Sequence, residues 1–236
     1  MLRTRSGADV PTGRAAGRGR DGVRAATTVT VRPDALLTQV MASAGGSSAV
    51  VRLPDGTAAR LGVRRWAAPA CTSDGSLLDR AIGPVIDVGC GPGRLTAALR
   101  ERGVDVLGLD VLPDVPVLAR RAGAPVHVGD VFGDVPRPGA WGTALLADGN
   151  VGIGGDPPRL LARLRGLLAP AGTVLVELGD VDWAGDVRLE DGRRVTHAFP
   201  WASVGPSGVR QVAAAAGMRV TDRWSSGGRR FAALAA

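Results

Sequence analysis

The chain has 236 residues, a net charge of +7 and a hydrophobic fraction of 45%. That length can bury a substantial core, and no apolar run reaches the roughly 18 residues of a membrane-spanning helix. Two cysteines, Cys71 and Cys90, exclude a disulfide framework or cysteine metal spacing, and an N-terminus without the apolar core of a signal peptide leads us to expect a cytoplasmic protein with no membrane partner.

The charge is unevenly spread. Every basic residue is Arg, and residues 1–32 hold seven of them against Asp9 and Asp21, which is +5 of the net +7. This Gly/Arg/Ala/Thr-rich segment has no periodicity and is expected to be a disordered tail. It has no interleaved aromatics for base stacking, so nucleic acid is not the expected partner. Residues 33–80 are expected to form an N-terminal cap. In RPDALLTQVMASAGG, Pro33 suits a first helical turn, Ala35, Leu36, Val40 and Met41 share an apolar face, and Gly45 and Gly46 end the helix. SAVVRLPDGTAARLGVRRW reads as two β runs around Pro54, Asp55 and Gly56. TSDGSLLDRAIG reads as a short helix starting near Thr72 or Ser73.

Residues 81–236 are expected to be the main domain. VIDVG is a strand, followed at once by the amphipathic RLTAALRERG. VDVLGLD, Val104 to Asp110, is a near-continuous apolar run, as in a strand buried on both faces. VPVLARRAG is a helix, APVHVGD a third strand and GTALLAD a fourth. DPPRLLARLRGLLAPAG reads as one helix with Leu160, Leu161, Leu164, Leu167 and Leu168 on a face, and GTVLVELG as a fifth strand. Such βα repeats imply an α/β fold, a mostly parallel sheet with helices on both faces and a ligand outside the carboxyl ends of its strands. VRLEDGRRVTHAF then reads as a hairpin, SGVRQVAAAAG as a helix, and MRVTDRWSSGGRRFAALAA as two antiparallel strands.

The chemistry centres on the turn after the first strand. Gly89, Gly91 and Gly93 let the backbone turn sharply and bring N–H groups to a ligand at a helix start. The dinucleotide pattern G-x-G-x-x-G is broken, because Arg94 stands where its third glycine would be. With Asp87 two residues upstream, VIDVGCGPG resembles motif I of class I S-adenosylmethionine (SAM) dependent methyltransferases. The resemblance covers about residues 80–236 and implies SAM as cofactor and a seven-stranded sheet whose last strand is antiparallel.

On that resemblance, Asp110, at the end of the second strand, accepts the ribose hydroxyls, with Val111 beside it. Asp130 and Val131, after the third strand, meet the adenine edge. Asp87, Gly89, Cys90, Gly91 and Gly93 surround the methionine arm, with Cys90 a small filler. Asp148 and Asn150, after the fourth strand, face the sulfonium and the methyl acceptor. Candidate general bases are Asp148, Glu177 and His197; His127 is expected to be structural. Trp183, His197, Phe199 and Trp201 lie where similar enzymes roof the acceptor site, although core packing explains such clustering equally well.

The N-P-P-Y or D-P-P-Y tetrapeptide of base- and amide-methylating relatives is absent. DGNVGIGGDP instead resembles a run in actinobacterial-type methyltransferases of unassigned acceptor. The expected function is therefore methyl transfer from SAM to a small molecule, with no metal. The alternatives are a nicotinamide-dependent oxidoreductase and a non-catalytic SAM- or nucleotide-binding module.

Overall fold

A computed structural model describes residues 28–43 and 48–236. The expected helix end at Gly45 and Gly46 and most of the tail lie outside these residues. The elements run β1 (Val29–Val31), α1 (Pro33–Ala42), β2 (Val50–Arg52), β3 (Ala58–Arg60), α2 (Val63–Trp66), α3 (Thr72–Leu78), β4 (Val85–Val88), α4 (Arg94–Glu101), β5 (Val106–Asp110) and α5 (Val115–Arg121). There follow β6 (Val126–Val128), β7 (Trp141–Leu146), a 3-10 segment (Asn150–Gly155), α6 (Pro157–Leu167), β8 (Leu168–Leu178), β9 (Trp183–Asp191), β10 (Arg194–Thr196), β11 (Phe199–Ser203), α7 (Val209–Ala215), β12 (Arg219–Ser226) and β13 (Arg229–Ala235). Among the described residues, no helix is long and apolar enough to cross a membrane.

The main sheet has seven strands in the order β12-β13-β8-β7-β4-β5-β6. Strands β8, β7, β4, β5 and β6 are parallel, and β13 enters antiparallel between β8 and β12. Central strands are apolar because helices cover both faces: all of β4 is buried, as are Ala144, Leu145 and Leu146 of β7. In α6, Leu160, Leu161, Leu164 and Leu167 form the buried stripe, and Asp156 caps the first turn by accepting from the Arg159 N–H at 3.0 Å. This helix ends earlier than the leucine pattern implies. Leu168 starts β8, since Pro170 has no N–H to continue a helix.

A second sheet has the order β1-β10-β9-β2-β3, with β11 pairing on β9. It corrects three expectations. Val29–Val31, assigned to the tail, pair in parallel with Arg194–Thr196. The cap is not N-terminal alone, because β2 pairs with β9 from the other end of the chain. GVRRW, read as the end of a strand, turns into α2. The Asp191–Gly192 hairpin is present between β9 and β10, and β11 extends it. Leu36 and Val40 of α1 and Leu189 of β9 share one apolar cluster, which joins the two ends of the chain.

Candidate functional site

The carboxyl ends of β4, β5, β6 and β7 face the second sheet across a cavity of about 620 Å³. Asp87, Gly89, Cys90, Gly91, Asp110, Val111, Asp130, Val131, Asp148 and Asn150 all line it. Gly93 and His197 are not among the lining residues. Gly93 caps α4 with φ 85°, and a Cβ there would meet the Cβ of Ala124 at 2.6 Å. His197 is exposed in the link between β10 and β11, so the strands carry Phe199 and Trp201 to the cavity and leave the imidazole outside.

The glycine loop is built for close approach. Gly91 has φ 50°, and the nearest atoms to a Cβ there are Cε and Sδ of Met41, at 3.9 Å. Asp110 shapes the loop from below: Oδ2 accepts from the Gly91 N–H at 2.9 Å and Oδ1 from the Leu112 N–H at 3.0 Å. Two accepted bonds leave lone pairs on both oxygens for further donors. Burial pushes the Asp110 carboxyl up, partly offset by those N–H bonds. Asp87 is buried, and that burial raises it to about 6 against the hydrogen bond from Thr96 Oγ1 at 2.7 Å. Burial, with Asp87 and Asp110 close by, also pushes the Cys90 thiol up. Its Sγ fills space over Gly108, where a Cβ would come within 2.7 Å. Asp130 is exposed and accepts from the Phe132 N–H at 2.9 Å.

An ion-pair cluster escaped the sequence reading. Arg94, the first residue of α4, is 5% exposed and pairs with Asp74 and with Asp148 Oδ2, the latter at 2.6 Å. Arg65 of α2 reaches Asp148 Oδ1 at 2.7 Å. Arg229 of β13 grips both Glu177 oxygens, at 2.8 and 2.7 Å, and Asp74 at 2.5 Å. Glu177 in turn accepts the Asp148 N–H at 2.6 Å and so holds Asp148 at φ 55°. Burial works to raise Glu177, but Arg229 outweighs it and leaves the carboxyl below its ordinary range. Asp148, expected as a base, is thus an ion-paired anchor, and Glu177 stands behind it, outside the lining. Three arginines scattered among 29 carry no sequence signal; the one local hint was Arg94 in place of a glycine.

The roof is aromatic and apolar. Trp183, Phe199 and Trp201 line the cavity from the second sheet, joined by Trp66, Val187 and Leu189. Among the described residues, no group of at least three His, Cys, Asp or Glu could hold a metal ion.

Comparison with known proteins now gives the class. A family model described as "Methyltransferase domain" matches residues 63–221, and the chain belongs to that family of SAM-dependent methyltransferases. The trans-aconitate 2-methyltransferase of Mycobacterium sp. (strain KMS) is 31% identical over 121 residues, 50% of this chain and 46% of that protein. The malonyl-[acyl-carrier protein] O-methyltransferase of Serratia marcescens is 33% identical over 121 residues, 49% of this chain and 47% of that protein. The chain therefore spans about half the length of the curated relatives it matches. A SAM-dependent methyltransferase from Bacteroides fragilis, solved with S-adenosyl-L-homocysteine (SAH), superposes with a TM-score of 0.69 at 19% identity, over 88% of this chain and 98% of that one. That likeness shows the class I methyltransferase fold.

Proposed function

We propose that the cavity binds SAM and that the chain transfers its methyl group to a small-molecule acceptor. One observation carries the reading: the open glycine loop, the Asp110 carboxylate and Asp130 stand in series along the ends of β4, β5 and β6, under one roof. When bound, SAM supplies a methyl carbon activated by a sulfonium leaving group.

The residues present fit that cofactor. Gly91 leaves its cradle open, with only the end of a flexible methionine nearby among the described residues. Asp110 keeps lone pairs for two adjacent hydroxyls, and Asp130 offers an exposed carboxylate for an amino group. Asp87 lies beside the loop as an acceptor for an ammonium. Arg94 Nε is buried without a hydrogen-bond partner among the described residues. Asn150 holds the loop in shape, and the aromatic roof excludes water and orients the acceptor, which is most of what an already activated donor requires. The names of the two curated relatives, one of a small acid and one of a carrier-bound acid, support a small-molecule acceptor.

The oxidoreductase reading is opposed on two counts. The buried Arg94 side chain occupies the third-glycine position, and β13 is inserted antiparallel. Calorimetric titration with SAM, SAH and NAD tests the binding half, and transfer of a labelled methyl group tests turnover. Saturable NAD binding in preference to SAM would refute the reading.

A further inference from the structure

We propose that Arg65 is the counter-ion of the cofactor's methionine carboxylate, which makes α2, a helix outside the βα units of the main sheet, part of the SAM site. This rests on the SAM-binding reading and deepens it by naming the residue that selects a cofactor with an amino-acid arm. Two observations carry it.

The first is the strand order. β4 lies between β7 and β5. Asp110 and Asp130, read as the ribose and adenine contacts, stand at the end of β5 and after β6. The amino-acid arm of SAM, on the other side of the sulfonium, then lies over the glycine loop and reaches toward Asp148, after β7. That arm is a zwitterion. Its ammonium has Asp87 and Asp148 for counter-charges, and its carboxylate needs a cation with N–H donors.

The second is the state of the arginines that, among the described residues, line the cavity: Arg60, Arg65 and Arg94. Arg94 is 5% exposed and committed to Asp74 and Asp148. Arg60 is exposed at the last residue of β3. Arg65 is 41% exposed, and its contacts with Asp148 and Glu177 run through one nitrogen: Nη2 is 2.7 Å from Asp148 Oδ1 and 4.0 Å from Glu177 Oε1. A guanidinium has five N–H donors in a planar fork, and those on Nε and Nη1 take part in neither contact, so an edge of the fork remains for another carboxylate. Asp148 Oδ1 is buried with no aligned hydrogen-bond donor among the described residues, so it keeps a lone pair for an ammonium. A cation and an anion held side by side match the two charges that an α-amino acid carries on one carbon.

The test is calorimetric titration of the full chain with SAM, SAH and decarboxylated SAM, which keeps the adenosine, the sulfonium and the ammonium and lacks the carboxylate. Wild type should bind decarboxylated SAM about tenfold or more weakly than SAM. Arg65→Gln should lose about tenfold or more in affinity for SAM and SAH, and about twofold at most for decarboxylated SAM, so that the preference for the carboxylate disappears. Arg65→Lys, which keeps the charge without the fork, should recover part of the loss. Equal affinity of wild type for SAM and decarboxylated SAM overturns the assignment and leaves the SAM site standing, and that comparison needs no variant to fold. Equal losses for both ligands in Arg65→Gln, or no loss for either, overturn it as well, by making Arg65 a structural residue. So does a selective loss of SAM affinity in Arg60→Gln that Arg65→Gln lacks. Wild type that binds none of the three ligands overturns the underlying reading.

Discussion

Asn150 donates through Nδ2 to the carbonyls of Val88 and Gly89, at 2.9 Å each, tying the turn after β7 to the glycine loop after β4. The contact is so close that a Cβ on Gly89 would meet Nδ2 at 2.6 Å. Asn150 thus shapes the cradle, whatever else it touches.

Asn150→Ala removes both bonds and leaves two carbonyls without that partner. We predict a loss of about 1–3 kcal/mol of stability and roughly tenfold in SAM affinity. Urea unfolding and calorimetry on the same preparation check this. Wild-type behaviour in both would show that the clamp is incidental.

Gly91→Val probes the cradle directly. At φ 50° any L side chain is strained by about 1–2 kcal/mol, yet among the described residues beyond its chain neighbours only Met41 lies within 4 Å of the new Cβ. The variant should therefore fold, with a native circular dichroism spectrum, and bind no SAM. A folded variant with normal affinity would place the ligand elsewhere.

Arg94→Met breaks the ion-pair cluster at its most buried cation. Asp74, 1% exposed, and Asp148, 14% exposed, each lose a partner. Stranding buried carboxylates costs about 3–5 kcal/mol. Chemical denaturation should show a drop of that size, and a drop under about 1 kcal/mol would mean the cluster is solvated.

Asp87 gives a pH signature. Its folded pKa, about 6, lies above the ordinary 3.8 because burial penalises the charge. Between those values the folded chain holds a proton that the unfolded chain has released. Stability therefore falls as pH rises through this window, by roughly 3 kcal/mol at about 1.4 kcal/mol per unit. Asp87→Asn keeps an acceptor for Thr96 and removes the penalty. Its stability relative to wild type should grow from pH 4 to pH 8. Asp74 and Glu177, both held low by arginines, act with the opposite sign and lose their contribution as pH falls. A pH-independent difference between wild type and Asp87→Asn would contradict the assignment.

The parallel sheet was legible because its strands are buried on both faces and so read as apolar runs, as in VLGLD. The glycine loop and Asp110 were legible because a turn, a helix start and a strand end are local events. The second sheet was legible only in its local hairpins, β2–β3 and β9–β10: β1 and β2 have only three residues each, too few for a period, and their partners β10 and β9 lie more than 100 residues away. Nor could sequence show that Asp148 is ion-paired, since Arg65 comes from α2 and Arg94 from α4. Leu168 continued a helical leucine stripe, yet Pro170 and pairing with Trp141 commit it to β8.

The central claim is that this cavity is a SAM site with Asp110 on the ribose, and calorimetric titration of wild type and Asp110→Asn tests it most directly. The substitution keeps the shape, removes the charge and replaces one of two acceptor oxygens by a donor. That donor would face the N–H of Gly91 or Leu112 as well as the ligand. The account predicts single-site binding of SAM and SAH by wild type, no competition by NAD, and a loss of about 2 kcal/mol, roughly thirtyfold, in the variant. Equal SAM affinity in the two proteins, or NAD binding in place of SAM, would contradict it.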